Sequence, residues 1–339
     1  MQPEIRNAVD LVIAGEAVPA DDMQAAVNVI MKGKCSETET AVLLTALTMK
    51  GETVEEVVGA ARAMREHVTR VKPTAEDLLD TCGTGGDNLH TFNISTAVAF
   101  VVAACDVPIA KHGNRSVSSL SGSADVLEAL GVNVDITPRR VATCINKHNI
   151  GFCYARSLHK AMQHVAPVRA ELGFRTIFNL LGPLTNPAGA SRQLIGANRV
   201  ETAELLANAI QRLGTQRTIV VCGNNELDEV ALWGETTAFG VNADSVKRGA
   251  WTSTSFGLDE CTPDDLKVSS PAESADRIRA IFDGESGPSR DMVLANAAVA
   301  LIAAERVPSP RAGVEQAAAA IDEGRAKEVV KKLAKQTSS

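Results

Sequence analysis

Leu78-Leu79-Asp80-Thr81-Cys82-Gly83-Thr84-Gly85-Gly86-Asp87 decides the fold. A short apolar strand, Leu78 to Asp80, runs into a glycine-rich turn. A long apolar helix follows from about Ser95, through Ala97 to Cys105. Strand, glycine turn and helix in that order are the opening of an α/β unit, and such sheets bind ligands at the carboxyl ends of their strands. Glycines let backbone N–H groups approach an anion, and the next helix adds its positive amino end. The turn is not a Walker loop, because no Gly-Lys-Ser/Thr follows. Nor is it a dinucleotide fingerprint, because Asn88 stands where the third glycine would be.

Downstream the alternation continues. We read strands at Val107 to Ala110, Val132 to Val134, Phe152 to Tyr154 and Thr218 to Cys222. A helix at Ala124 to Leu130 is closed by Gly131, and another opens at Thr137-Pro138. Alternation implies a mostly parallel sheet faced by helices. Upstream, residues 1 to 72 read as helices alone. Ile5, Val9 and Val12 share one face. Ser36 with Glu39 and Thr53 with Glu56 are capping boxes ahead of apolar runs. The expected fold is therefore α/β: a small all-helical domain over 1–72, then a larger α/β domain over 73–170 and 189–339. The stretch 171–188 contains a helical run, Glu171 to Leu181, bracketed by Gly182-Pro183 and Asn186-Pro187. It reads either as a sheet crossover or as a return into the helical domain.

Composition narrows the function. The 339 residues carry 34 Lys and Arg against 41 Asp and Glu, a net charge of −7. That balance argues against nucleic acid or an anionic membrane as partner. Only 3% of residues are aromatic, too few for a platform that stacks bases. Seven cysteines, odd in number and without a Cys-x-x-Cys pair, indicate neither a disulfide framework nor a zinc site. With no apolar leader and no run long enough for a membrane span, we expect a soluble cytoplasmic protein.

Three further signals lie just past strands. Lys111-His112-Gly113-Asn114-Arg115-Ser116-Val117-Ser118-Ser119 places two fixed cations, a glycine and three serine hydroxyls where a polyanion would sit, and Ser121-Gly122-Ser123 extends it. Asn93, Ser95 and Thr96 offer side-chain hydrogen bonds at the preceding helix start. Asp228-Glu229, after the Thr218 to Cys222 strand, are adjacent carboxylates suited to magnesium beside a phosphate. Arg169 can clamp a carboxylate with paired hydrogen bonds, although a structural ion pair explains a lone arginine equally well. His90 and His112 are within reach of a substrate, but nothing marks either as a base. His159 and His164 are five apart and do not share the helical face that a metal pair uses.

Taken together, GTGGD with TFNIST (91–96), KHGNRSVSS (111–119), GSADVLEALGV (122–132), PVR (167–169), RTIFNLLGPLTNPA (175–188) and LDE (227–229) resemble the anthranilate phosphoribosyltransferases, from about residue 5 to 335. The resemblance implies a nucleoside phosphorylase/phosphoribosyltransferase-like fold, hinged between its domains and paired as a homodimer through the helical domains. It implies transfer of phosphoribosyl from phosphoribosyl pyrophosphate (PRPP) to anthranilate, in tryptophan biosynthesis, with Mg2+. Carried over by position, Gly83, Gly86, Asp87, Thr91, Asn93, Ile94, Ser95, Thr96, Lys111 to Ser119 and Ser123 would hold PRPP. Ser95, Asp228 and Glu229 would hold the metal. Gly83, Asn114 and Arg169 would meet anthranilate, with His112 and His159 as neighbours. Lys111 and Arg115 would act electrostatically, and no general base is implied.

Three residues depart from the family pattern. Asn88 follows Asp87 in place of glycine, Lys160 follows His159 in place of proline, and Glu226 precedes Leu-Asp-Glu in place of glycine. A related class, the pyrimidine nucleoside phosphorylases, shares the architecture, but its Lys-x-Ser-Gly-Arg pattern is absent from the sequence. A nucleic-acid-binding paralogue would need a basic groove, which the net charge disfavours.

Overall fold

A computed structural model describes residues 1–115 and 121–338. Of the four amino-terminal helices, the third and fourth start where their capping boxes predict. Helices α1 (Pro3–Ile13), α2 (Ala20–Met31), α3 (Glu37–Lys50) and α4 (Val54–His67) come first. Ser36 and Thr53 each accept from the backbone N–H of the glutamate three residues on, and each glutamate accepts a bond in return from the cap backbone. Gly51 ends α3 at φ +87°, a conformation that other residues adopt at a cost.

The α/β part follows as β1 (Leu79–Gly83), α5 (Ile94–Ala103), β2 (Ile109–Gly113), α6 (Ser123–Ala129), α7 (Pro138–His148) and β3 (Ile150–Tyr154). Three short helices, α8 (Ala155–Leu158), α9 (Ala166–Leu172) and α10 (Phe178–Leu181), lead to β4 (Arg192–Gly196), α11 (Val200–Leu213) and β5 (Arg217–Gly223). The chain closes with β6 (Thr236–Val241), β7 (Val246–Trp251), α12 (Ser253–Phe256), α13 (Pro271–Phe282), α14 (Pro288–Ala303), α15 (Pro310–Asp322) and α16 (Arg325–Ser338).

The strands form one seven-stranded sheet in the order β3-β2-β1-β4-β5-β6-β7. The first five are mutually parallel, and β6 and β7 add an antiparallel edge. Side chains alternate between faces, as the period of a strand requires. Leu194, Ile219 and Val221 join the core built with α5 and α14. Ile195, Val220 and Cys222 join the core shared with α11 and the amino-terminal bundle. Val165, Val168, Ile177, Phe178 and Leu181 also pack into that second core.

Two local expectations change. Val132 to Val134 is not a strand: the segment joins no ladder of the sheet, and both valines are buried instead in the core that includes α5. Glu171 to Leu181 is not one helix either, because Gly173 takes φ +65° and ends α9 before α10 begins at Phe178. All seven cysteines are free. Among the described residues no helix is long and apolar enough to cross a membrane.

Candidate active site

The parallel register lines up the carboxyl ends of β1, β2, β4 and β5, and the loops that leave them meet. After β1, the backbone N–H of Gly85 donates to Asp228 Oδ2 at 2.7 Å. At the start of α5, the N–H of Ser95 donates to Glu229 Oε1 at 3.0 Å. The loop after β5 is thus tied to both ends of the glycine turn. Its approach depends on missing side chains. A Cβ on Gly83 would stand 2.3 Å from Asp228 Oδ2, and one on Gly196 would stand 1.6 Å from the Asp228 carbonyl oxygen.

Lys111, on β2, is buried beside this junction. Its ammonium donates to the Thr81 carbonyl at 2.6 Å and to Ser95 Oγ at 3.2 Å. Burial pulls its pKa down, opposed by the surrounding anionic groups. Asp228 and Glu229 are pushed above the ordinary carboxylate range. For Asp228 burial comes first and the Asp87 carboxylate second; for Glu229 burial comes first and Asp228 second. Three carboxylates crowd together here with one ammonium among them. The donors are all oxygen, and their mutual repulsion is relieved by a hard divalent cation, so the set fits Mg2+ in charge and ligand type.

The other sequence-marked residues group around this centre. Asn93 is held by Ser274, whose Oγ accepts from the Asn93 N–H at 2.9 Å, and by Ser121, whose Oγ lies 2.8 Å from Asn93 Oδ1. Thr91 bridges to Lys267, and Ile94 and Thr96 are buried at the start of α5, with Thr96 Oγ1 lacking a hydrogen-bond partner. At the end of β2, Ser123 Oγ donates to the Asn114 carbonyl at 3.2 Å, and a Cβ on Gly113 would stand 2.2 Å from that hydroxyl. Ser116, Val117, Ser118 and Ser119 lie outside the described residues.

Arg115 sits apart from the carboxylate centre. Its guanidinium donates to Asp125 at 2.7 Å and to Glu128 at 2.6 Å, and its Nε reaches the Tyr154 hydroxyl at 3.2 Å. These bonds raise its pKa, Glu128 first. Arg169 has a different setting. Burial, then the charge of Arg175, lowers its pKa, and its Nη2 rests on Asn179 Oδ1 at 3.3 Å.

His112 and His159 lie 5.1 Å apart between ring centroids, their planes tilted by 39°. His112 Nδ1 faces the Gly182 carbonyl at 2.9 Å, while His112 Nε2 and both nitrogens of His159 are buried without a partner. Burial holds His112 down at about 4; burial and then His112 hold His159 down at about 3, so both rings are neutral near pH 7. Asp80, Cys82 and His112 also bring ligand atoms within 4.8 Å of one another. They do not make a metal centre, because both Asp80 oxygens already accept bonds, from His112 N and Asn186 Nδ2, and burial pushes the Cys82 thiol up.

The three departures from pattern have physical accounts. Asn88 takes φ +59°, a conformation asparagine tolerates, so it meets the demand a glycine would. Lys160 opens a 3-10 turn and leaves His159 buried. Glu226 accepts from Trp233 Nε1 at 2.7 Å and Asn224 Nδ2 at 2.8 Å, which occupies one of its oxygens outside the carboxylate centre.

Two residues of the site carry no expectation from the sequence. Arg175 Nη1 donates to the Gly85 carbonyl at 2.9 Å, and Asn198 Nδ2 donates to the Gly86 carbonyl at 2.7 Å. Arg175 lies in the 175–188 motif, where its basic charge is a signal. Asn198 has none.

Residues 5–68 match the helical bundle domain of a glycosyl transferase family, and residues 75–327 match its a/b domain. The chain is 46% identical over 348 residues to the anthranilate phosphoribosyltransferase of Geotalea uraniireducens, covering 98% of this chain and 99% of the relative. It is 49% identical over 317 residues to that of Solibacter usitatus, covering 93% of each. The crystal structure of the Thermus thermophilus enzyme superposes with a TM-score of 0.92 at 40% identity, over 98% of this chain and 99% of that one. The Saccharomyces cerevisiae enzyme in complex with PRPP and Mg gives 0.91 at 26% identity, over 100% and 99%. A chain with this sheet, this junction of strand ends and these relatives belongs to the anthranilate phosphoribosyltransferase family.

Proposed function

We propose that this chain transfers the 5-phosphoribosyl group of PRPP to the amine of anthranilate, releasing pyrophosphate, as a step of tryptophan biosynthesis. The observation that carries the reading is the pair of bonds from Gly85 N–H to Asp228 and from Ser95 N–H to Glu229. They bring a glycine-rich anion loop, a helix amino end and a carboxylate pair to one place.

Ser95, Asp228 and Glu229 would hold Mg2+, with Asp87 close by; the ion would offset charge on the departing pyrophosphate. Gly83, Gly86, Asp87, Thr91, Asn93, Ile94, Thr96, Lys111 to Ser119 and Ser123 would hold PRPP. Lys111, fixed by Thr81 and Ser95, points its amine at the sheet end where phosphate oxygens would lie. The ribose carbon turns oxocarbenium-like as its bond to pyrophosphate lengthens, and the neutral aryl amine attacks the opposite face with inversion. The new C–N bond replaces the broken C–O bond, and the amine proton leaves after attack. No strong base is needed, which agrees with two histidines whose lowered pKa values make them weak bases. Arg169 would take the anthranilate carboxylate, with Gly83, Asn114, His112 and His159 around the ring. Positioning and electrostatics carry the rate in this scheme.

We read the chain as a helical domain over 1–72 with a return near 171–188, and an α/β domain over the remainder, closing about the hinges to exclude water. The protein works in the cytoplasm as a homodimer paired through the helical domain. Exposed Ile13 on α1, and Val42 and Met49 on α3, supply apolar surface for that pairing. The test follows anthranilate fluorescence after addition of PRPP. Loss of signal with Mg2+ and not without it supports the reading. Persistence of the signal under both conditions refutes it.

A further inference from the structure

The amino-terminal ends of β4 and β5 lie beside a concentration of positive charge. A cleft of about 330 Å3 lies between the end of α4 and the residues that precede β4 and β5. Arg65 and Arg70 line one wall, and Ser191, Thr215 and Gln216 the other. No carboxylate is among the residues lining it. It opens, past Arg70 and Gly189, into a wider cleft of about 630 Å3 that takes in Lys72 and, further out, Glu76 and Asp77.

The two arginines face each other without neutralisation. Arg65 Nε donates to the Leu184 carbonyl at 2.7 Å, and Arg70 Nη2 donates to the Arg65 carbonyl at 3.1 Å. Those acceptors are neutral. Among the ion pairs of the described residues, none involves Arg65 or Arg70. Burial, then the charge of Arg70, holds Arg65 down at about 10, so it remains a cation at neutral pH. Arg70 is exposed, and the more buried Arg65 charge beside it is costly unless an anion joins the two. Guanidinium groups present paired donors that match phosphate and carboxylate.

The place differs from the active site. Ser191 and Gln216 precede the first residues of β4 and β5, whereas Gly196 and Asp228 lie at the carboxyl ends. A strand of that length separates the two by about 16 Å. The cleft also spans both crossings between the bundle and the sheet. Thr69 N–H donates to the Leu158 carbonyl at 2.8 Å, and Val71 N–H donates to the Pro187 carbonyl at 3.1 Å.

We propose that this cleft is a second ligand site, which takes a small molecule bearing a phosphate or carboxylate group on Arg65 and Arg70. The ligand would touch the chain where the bundle and the sheet are joined. It would therefore bias their relative position without entering the active site.

Amide hydrogen exchange of the full-length protein, with and without millimolar inorganic phosphate, tests this. Citrate forms a parallel arm, and chloride at matched ionic strength is the control. Binding at about ten times Kd slows exchange about tenfold in the segments 65–72 and 184–191. Arg70→Gln abolishes that slowing, and Arg70→Lys retains part of it. The unfolding temperature of Arg70→Gln in chloride, no lower than that of the parent protein, shows the fold is intact. Protection by phosphate alone or citrate alone assigns the anion class. Protection confined to 83–96, or undiminished in Arg70→Gln, or matched by chloride, overturns the proposal. The readout needs no turnover, so it stands apart from any failure of the proposed reaction.

Discussion

The backbone N–H of Gly85 is hydrogen-bonded to Asp228 Oδ2 at 2.7 Å, across 143 residues of chain. The anion loop and the carboxylate loop are therefore one object. A change in either is felt in the other.

Asp228→Asn keeps the size of the side chain and removes its charge. The Mg2+ concentration for half-maximal rate should rise about tenfold or more, by analogy with the loss on disturbing metal-site partners. Gly83→Ala should act in the same direction, because its Cβ would stand 2.3 Å from Asp228 Oδ2. Titration of the rate against Mg2+ at saturating PRPP checks both. An unchanged midpoint for Asp228→Asn would move the metal elsewhere.

Arg169 is partly desolvated, and its guanidinium rests on the neutral side chain of Asn179. A charge-assisted bond to a substrate carboxylate is worth about 1.5–3 kcal/mol. Arg169→Ala should raise the anthranilate KM by about ten- to a hundredfold on that scale and leave the PRPP KM nearly unchanged. Steady-state kinetics with each substrate varied in turn decides it. Equal effects on both constants would take Arg169 out of this role.

Arg115 cannot serve PRPP while it is held by Asp125 and Glu128. If binding draws it away, those acids compete with the substrate. Exposed pairs of this kind are worth less than about 1 kcal/mol, so Glu128→Gln should lower the PRPP KM by a few-fold at most. Raising the salt should shrink the difference between variant and parent. A PRPP KM that rises in Glu128→Gln would mean that the pair itself supports the site.

The buried histidines set a pH dependence of stability. Their folded pKa values, about 4 and about 3, lie below the ordinary value, so the unfolded chain takes up protons first as pH falls. From pH 7.5 to 5.5 this withdraws about 3 kcal/mol of stability in total. Asp80, raised to about 6, and the raised Asp228 and Glu229 act with the opposite sign, because there the folded state holds the extra proton. The histidine share is read as the difference in slope between the parent and a His112→Gln/His159→Gln variant, by denaturant unfolding at both pH values. Identical slopes would show that the rings are not desolvated.

Much of this is written locally. The boxes Ser36–Glu39 and Thr53–Glu56 state where α3 and α4 begin, and the runs at 78–80, 107–110 and 218–222 mark β1, β2 and β5, although β1 and β2 run on to Gly83 and Gly113. Val132 to Val134 has the alternation of a strand, but its valines pack into the core around α5, which only the assembled fold reveals. The segments of β4, β6 and β7 escape a reading by pattern, since short runs such as Arg192 to Gly196 carry little periodicity of their own. The same limit applies at the site. The glycine loop, the Lys111 segment and Asp228-Glu229 announce themselves by composition. Asn198 becomes a partner of Gly86 only when β4 lies beside β1, and Arg115 meets Glu128 only when α6 folds against the end of β2.

Gly83 and Gly196 leave room for Asp228 at the level of main-chain atoms. The loop is consequently immobilised when the sheet assembles, and the entropy of fixing its carboxylates is charged to folding. An arriving cation would then meet carboxylates already in place. Drift elsewhere in the loop, such as the glutamate at 226, can accumulate without loosening them.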